Sequence, residues 1–139
     1  MTIATLLKTI CETFRQQTGT PVTLGSPDGN SAGIFVWPIA LDENPVVADP
    51  RSREALQPLN IRFMVTVHPP FSEQGLAMLE RIYRLIQESP VLRSDTGKAN
   101  LACESVSLDE LFALFRSVNL PVMPCICVKA RIINSESTS

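Results

Sequence analysis

Four cysteines and one histidine are the residues of this 139-residue chain best suited to chemistry. Cys125 and Cys127 lie two apart in a strand-like run, so both side chains point to the same face. That spacing makes neither a Cys-x-x-Cys redox loop nor a zinc pair. A thiol enzyme built on either one needs a base or a helix N-terminus to lower the thiol pKa, and the sequence supplies neither. Cys11 falls on the apolar side of a helical pattern, and the four, Cys103 included, read as reduced, buried thiols. His68 stands at a strand end before Pro69-Pro70. There is no Gly-x-Ser-x-Gly elbow to pair with it, and one imidazole leaves a metal site short of ligands.

Two adjacent carboxylate pairs remain, Asp42-Glu43 and Asp109-Glu110. The first reads as a solvated loop, and the second favours the start of a helix. Gly25-Ser-Pro-Asp-Gly29 lacks the lysine and the following helix that phosphate binding requires, and no dinucleotide fingerprint occurs. The expectation is a protein that is not an enzyme and has no catalytic, cofactor or metal site. A small-ligand module would require an enclosed pocket, which sequence does not reveal.

Composition narrows the partners. A net charge of -2 argues against nucleic-acid binding, which needs a basic stripe to neutralise phosphates. Arginine outnumbers lysine nine to three, as suits planar pairing at protein interfaces. No apolar run approaches the roughly 18 residues of a membrane span. Lys8 and Glu12 interrupt the N-terminal apolar stretch, so no secretory signal is read there and a cytoplasmic location is expected. With 45% hydrophobic and 19% charged residues, the chain reads as one globular domain over 1–133 followed by a flexible polar tail, 134–139.

The positioning elements follow from periodicity. Ile3, Leu6, Leu7, Ile10, Cys11 and Phe14 build one stripe of a helix over 2–17, with Thr2 as its N-cap and Gly19 closing it. Pro21–Gly25 and Ile34–Leu41 suggest a hairpin across the turn cluster 26–31. In the second strand Phe35, Trp37, Ile39 and Leu41 are expected on one side, with Ile34, Val36 and Ala40 on the other. Pro38 marks a sheet edge or a bulge. A long polar connection runs from Asp42 to Gln57, with a helical turn after Asp49-Pro50.

Ile61, Phe63, Val65 and Val67 alternate strictly with Arg62, Met64, Thr66 and His68, which is a strand. Ser72 caps a helix reaching about Ser89, with a stripe of Leu76, Leu79, Ile82, Tyr83 and Ile86, an exposed Glu80–Arg84 pair and Pro90 as its stop. A weak strand is expected near Asn100–Val106. A helix capped by Ser107 and carrying Leu108, Leu111, Phe112, Leu114 and Phe115 follows, then a closing strand over Cys125–Ile133. The fold class is α/β of the α+β kind: a mixed or mainly antiparallel sheet of four or five strands with helices on one face. The face left open is expected to carry Ile34, Val36 and Met64, an apolar patch that monomers rarely expose.

The run Pro58-Leu-Asn-Ile-Arg-Phe-Met-Val-Thr-Val67, with a helix closing on Leu85-Ile-Gln-Glu-Ser-Pro-Val-Leu92, resembles the tail-terminator or cap subunits of phage-tail-like contractile injection systems. The N-terminal helix, the strand through Phe35-Val-Trp37, the Ser107-Leu-Asp-Glu-Leu111 helix and the closing strand match in order. Trp37-Pro38 departs from the leucine-tyrosine type of strand expected there. The resemblance implies a tail-terminator-like fold and a homo-oligomeric ring, usually six-fold. Such a ring caps the inner tube, stops tube and sheath polymerisation, and is assembled within the cell without inserting into a membrane. A phage neck or tail-completion protein joining tail to head is the alternative. A ring needs a heterologous surface on each protomer. The expected contacts are Ile34, Val36 and Trp37 on the strand, with Arg51, Arg53 and Arg62 facing acidic tube or sheath surfaces.

Overall fold

A computed structural model describes residues 1–43 and 59–133. The chain order is α1 (Ile3–Thr18), β1 (Val22–Leu24), β2 (Gly33–Glu43), β3 (Leu59–His68), α2 (Glu73–Glu88), β4 (Val91–Ser94), β5 (Gly97–Glu104), α3 (Leu108–Ser117) and β6 (Cys125–Ile133). The strands form one six-stranded sheet in the order β1-β2-β3-β6-β5-β4. All pairings are antiparallel except β1 with β2.

The expected caps form. The Thr5 amide donates to Thr2 Oγ1, and Gly19 closes α1 in the left-handed region at φ 69°. Ser72 and Ser107 accept from the amides of Gly75 and Glu110. Leu6, Leu7, Ile10, Cys11 and Phe14 of α1, with Leu79, Ile82 and Ile86 of α2, bury against Ile61, Phe63, Val65 and Val67 of β3 and Val128 and Ala130 of β6. This main core lies on the helical face of the sheet and includes Ile34 and Val36.

Several expectations are corrected. The sheet has six strands, because Pro90 is followed at once by β4, which forms a hairpin with β5 (Arg93 opposite Lys98). The first two strands do not form a hairpin: Val22, Thr23 and Leu24 run parallel to Ile34, Phe35 and Val36. Asp28 Oδ1 accepts from the amides of Asn30 and Ser31, and this Asx-type turn helps carry the chain back to its starting end. Gly33 permits the junction, since at φ 125° any Cβ would lie 2.6 Å from the Pro21 carbonyl oxygen.

In β2 the register slips between Pro38 and Ala40, so Ile39 is the extra residue of a bulge. One extra residue exchanges the two sides of a strand. Leu41 therefore lies opposite Ile61, on the side of Ile34 and Val36, while Ala40 lies opposite Arg62. β1 reaches only Val36, so Pro38 stands where β2 has no outer partner among the described residues.

Two stripes are narrower than their sequences suggest. Leu76 and Tyr83 of α2 are nearly half-exposed, as is Phe112 of α3, and Leu108 is more so. Only α1 and α2 share a face; α3 packs on the opposite one. There Phe115 joins Trp37, Met64, Met123 and Cys127 in a second cluster. The Asp49-Pro50 turn, most of the 42–57 connection and the 134–139 tail lie outside the described residues.

Candidate assembly surface

The residues expected to make contacts do not form one surface. Ile34 and Val36 are fully buried in the main core, and Trp37 is buried beneath α3. The reason is register: Trp37, not Ile34 or Val36, lies opposite Met64, so Trp37 and Met64 share the α3 face while Ile34 and Val36 share the helical one. The expected open patch of Ile34, Val36 and Met64 is thereby corrected. Trp37 meets Phe115 edge to face, with ring centroids 5.7 Å apart and planes at 72°. These residues position α3.

Arg62 lies in the middle of the α3 face. Its Nε donates to Glu104 Oε2 at 2.9 Å, and its Nη1 donates to Glu110 Oε1 at 3.4 Å. Glu110 comes from the first turn of α3, so Arg62 ties that helix to β5 and is taken up within the protomer. The neighbouring carboxylates hold its guanidinium pKa up, against the opposing effect of its own desolvation. Arg51 and Arg53 lie outside the described residues.

The same face presents features that sequence reasoning did not assemble. On α3, Leu108 is 61% and Phe112 49% exposed, one helical turn apart. Beside them runs an open groove of about 440 Å³ lined by Phe112, Arg116, Asn119, Leu120, Pro121 and Val122. Past Arg62 no helix among the described residues covers the sheet, and Ala102 and Val91 are exposed there. The open area carries Lys129 and Arg131 of β6, Lys98 of β5 and Arg93 of β4. Lys129 comes within 3.9 Å of Glu104; the other three make no ion pair among the described residues. The signal was the Lys129/Arg131 alternation in β6. It needed the missed β4–β5 hairpin to become a patch.

The thiols are poorly suited to nucleophilic chemistry. Burial pushes Cys125 up to about 11 and raises Cys127, Cys103 and Cys11 as well. All four are free. His68 lines a shallow depression with Pro21, Gly33, Ser72 and Gly75, and among the described residues no cysteine or carboxylate lines it. Among the described residues, no group of three or more His, Cys, Asp or Glu is placed to hold a metal ion, and no helix is long and apolar enough to cross a membrane.

Comparison with known proteins gives a consistent result. The family model of the Pvc16 N-terminal domain matches residues 1–139. Among solved structures, the chain is similar to the sheath/tube terminator of PVC, an extracellular contractile injection system, in its extended state. There the TM-score is 0.73 at 12% identity, covering 97% of this chain and 58% of that one. It is also similar to the tube-terminating cap of the anti-feeding prophage, with TM-score 0.65 at 10% identity, covering 98% and 57%. The chain thus spans less than two thirds of either relative. Both relatives terminate a tube. No curated protein matches it significantly.

Proposed function

The chain belongs to the Pvc16 N-terminal domain family and has the fold of contractile-injection-system tube terminators, and on that premise we propose that it caps a tube end, as a ring that stops tube and sheath polymerisation. The observation that carries this reading is the match of the fold over nearly the whole chain to a sheath/tube terminator and to a tube cap.

The physics of the surface supports it. A closed ring joins two unlike patches on each protomer, so that one copy's first patch meets the next copy's second. The chain exposes two such patches on opposite faces of its sheet: the Leu108/Phe112 ridge of α3, and the Leu76/Tyr83 ridge of α2. We place the ring contacts there rather than at Ile34 and Val36, which lie in the main core, or at Trp37, which supports α3 from beneath. Arg51 and Arg53 remain candidates for acidic tube or sheath surfaces. A six-fold ring, assembled in the cytoplasm before the particle is complete, is the form proposed.

Removing the gene from a producing strain tests the reading. Particles made without the chain are expected to carry tubes of irregular length, and an unchanged length distribution would overturn it.

A further inference from the structure

The part of the α3 face that no described helix covers is an unusual surface for a chain of net charge -2. Arg93 stands directly opposite Lys98 in the β4–β5 pair, and Arg62 directly opposite Lys129 in the β3–β6 pair. Like charges in directly opposed positions destabilise a sheet. Arg62 is compensated by Glu104 and Glu110, but Arg93 and Lys98 have no counter-ion among the described residues. Lys129 and Arg131, two apart on β6, point to the same side roughly 7 Å from one another. Ala102 and Asn100, between the cations on β5, are short and leave the strip flat. A solvated sheet face needs polar residues, but it gains nothing from setting cation against cation. The cost is offset once an anionic surface arrives.

We propose that the strip formed by Arg93, Lys98, Lys129 and Arg131 is the docking surface for a carboxylate-rich face of a neighbouring protein in the particle, namely the tube or sheath end on which the cap sits. The proposal rests on the capping reading and adds the chemistry of the partner. The sign of the strip selects an acidic protein surface. The strip is carried by β4, β5 and β6 and the two apolar ridges by α3 and α2, so those ridges are left for contacts between copies.

The test uses the purified full chain and tubes with sheath prepared from particles lacking it, with co-sedimentation measured over a series of salt concentrations. Arg93→Glu places opposite charges across the β4–β5 pair, so its melting temperature is expected to hold or rise, while tube binding falls at least roughly tenfold. Arg131→Glu is the second variant, at an exposed site with no opposing cation on β5. It is expected to weaken binding similarly with an unchanged oligomeric state. Wild-type binding is expected to weaken as salt rises.

Variants that bind as well as wild type overturn the proposal. So does loss of the ring in either variant, which would make the strip a contact between copies. Tighter binding of wild type to a DNA duplex than to tubes at physiological salt would assign the strip to nucleic acid and overturn it too. Wild-type protein that ignores tubes altogether overturns the capping reading itself, an outcome distinct from loss in the variants alone.

Discussion

Trp37 and Phe115 meet edge to face at 5.7 Å across the side of the sheet away from α1 and α2, and this contact holds α3 in place. The pair joins β2 to a short helix of which Phe115 is the one buried residue. The position of the Leu108/Phe112 ridge, and of Glu110 against Arg62, therefore depends on it. A subunit that caps a tube end, as proposed, works by presenting surfaces at fixed angles, and this contact sets one of them.

Replacing Phe115 by alanine leaves a cavity beneath α3, and the expected loss of stability is about 3–5 kcal/mol. Cys127, 5% exposed in the same cluster, reports the local effect. Its labelling by a thiol reagent is expected to speed up under conditions where the far-UV circular dichroism still shows a folded chain. Labelling that rises only in step with global unfolding would show that α3 is not independently pinned by Phe115.

Gly75 offers a test in which the sign is informative. Alanine in place of glycine within a helix ordinarily stabilises by about 1 kcal/mol. Here a Cβ would lie 2.5 Å from the Pro69 carbonyl oxygen and 2.9 Å from Ser72 Oγ, the N-cap atom of α2. The expected outcome of Gly75→Ala is a loss of about 1–3 kcal/mol in a urea titration. A gain would mean that the His68–Ser72 connection yields easily.

Cys125 has its thiol held up to about 11 by burial, from an ordinary 9.0. The folded state thus keeps a proton that the unfolded state gives up sooner. The corresponding stability is complete below pH 9 and is lost as the pH climbs from 9 towards 11. Alkylation of the native protein at pH 8 is expected to be slow, and that of Cys125→Ser to show no slower-reacting site near pH 11. Rapid modification of Cys125 at pH 8 would contradict the burial and reopen a reactive-thiol role.

Much of the fold was legible in the sequence where one local pattern decided it. The α1 stripe, the alternation of β3, the Ser72 and Ser107 caps and the break in β2 at Pro38 each rest on a few neighbouring residues, and each stands in the structure. What was not legible depends on pairing between distant segments. Alternation told Trp37 from Val36, but only the register with Met64 decided which of them lies under a helix. A turn-rich segment before β2 looks the same whether the chain doubles back or crosses over, so the parallel β1–β2 pair was read as a hairpin. The Lys129/Arg131 alternation was visible, but Arg93 and Lys98 join it only once β4 is recognised as a strand of four residues directly after Pro90.

The central claim is tested most directly by electron cryo-microscopy of particles carrying this chain with a small rigid tag. The account predicts tag density in a ring at one end of the tube and nowhere along the sheath. Tag density distributed along the tube or sheath, or absent from both tube ends, would contradict it.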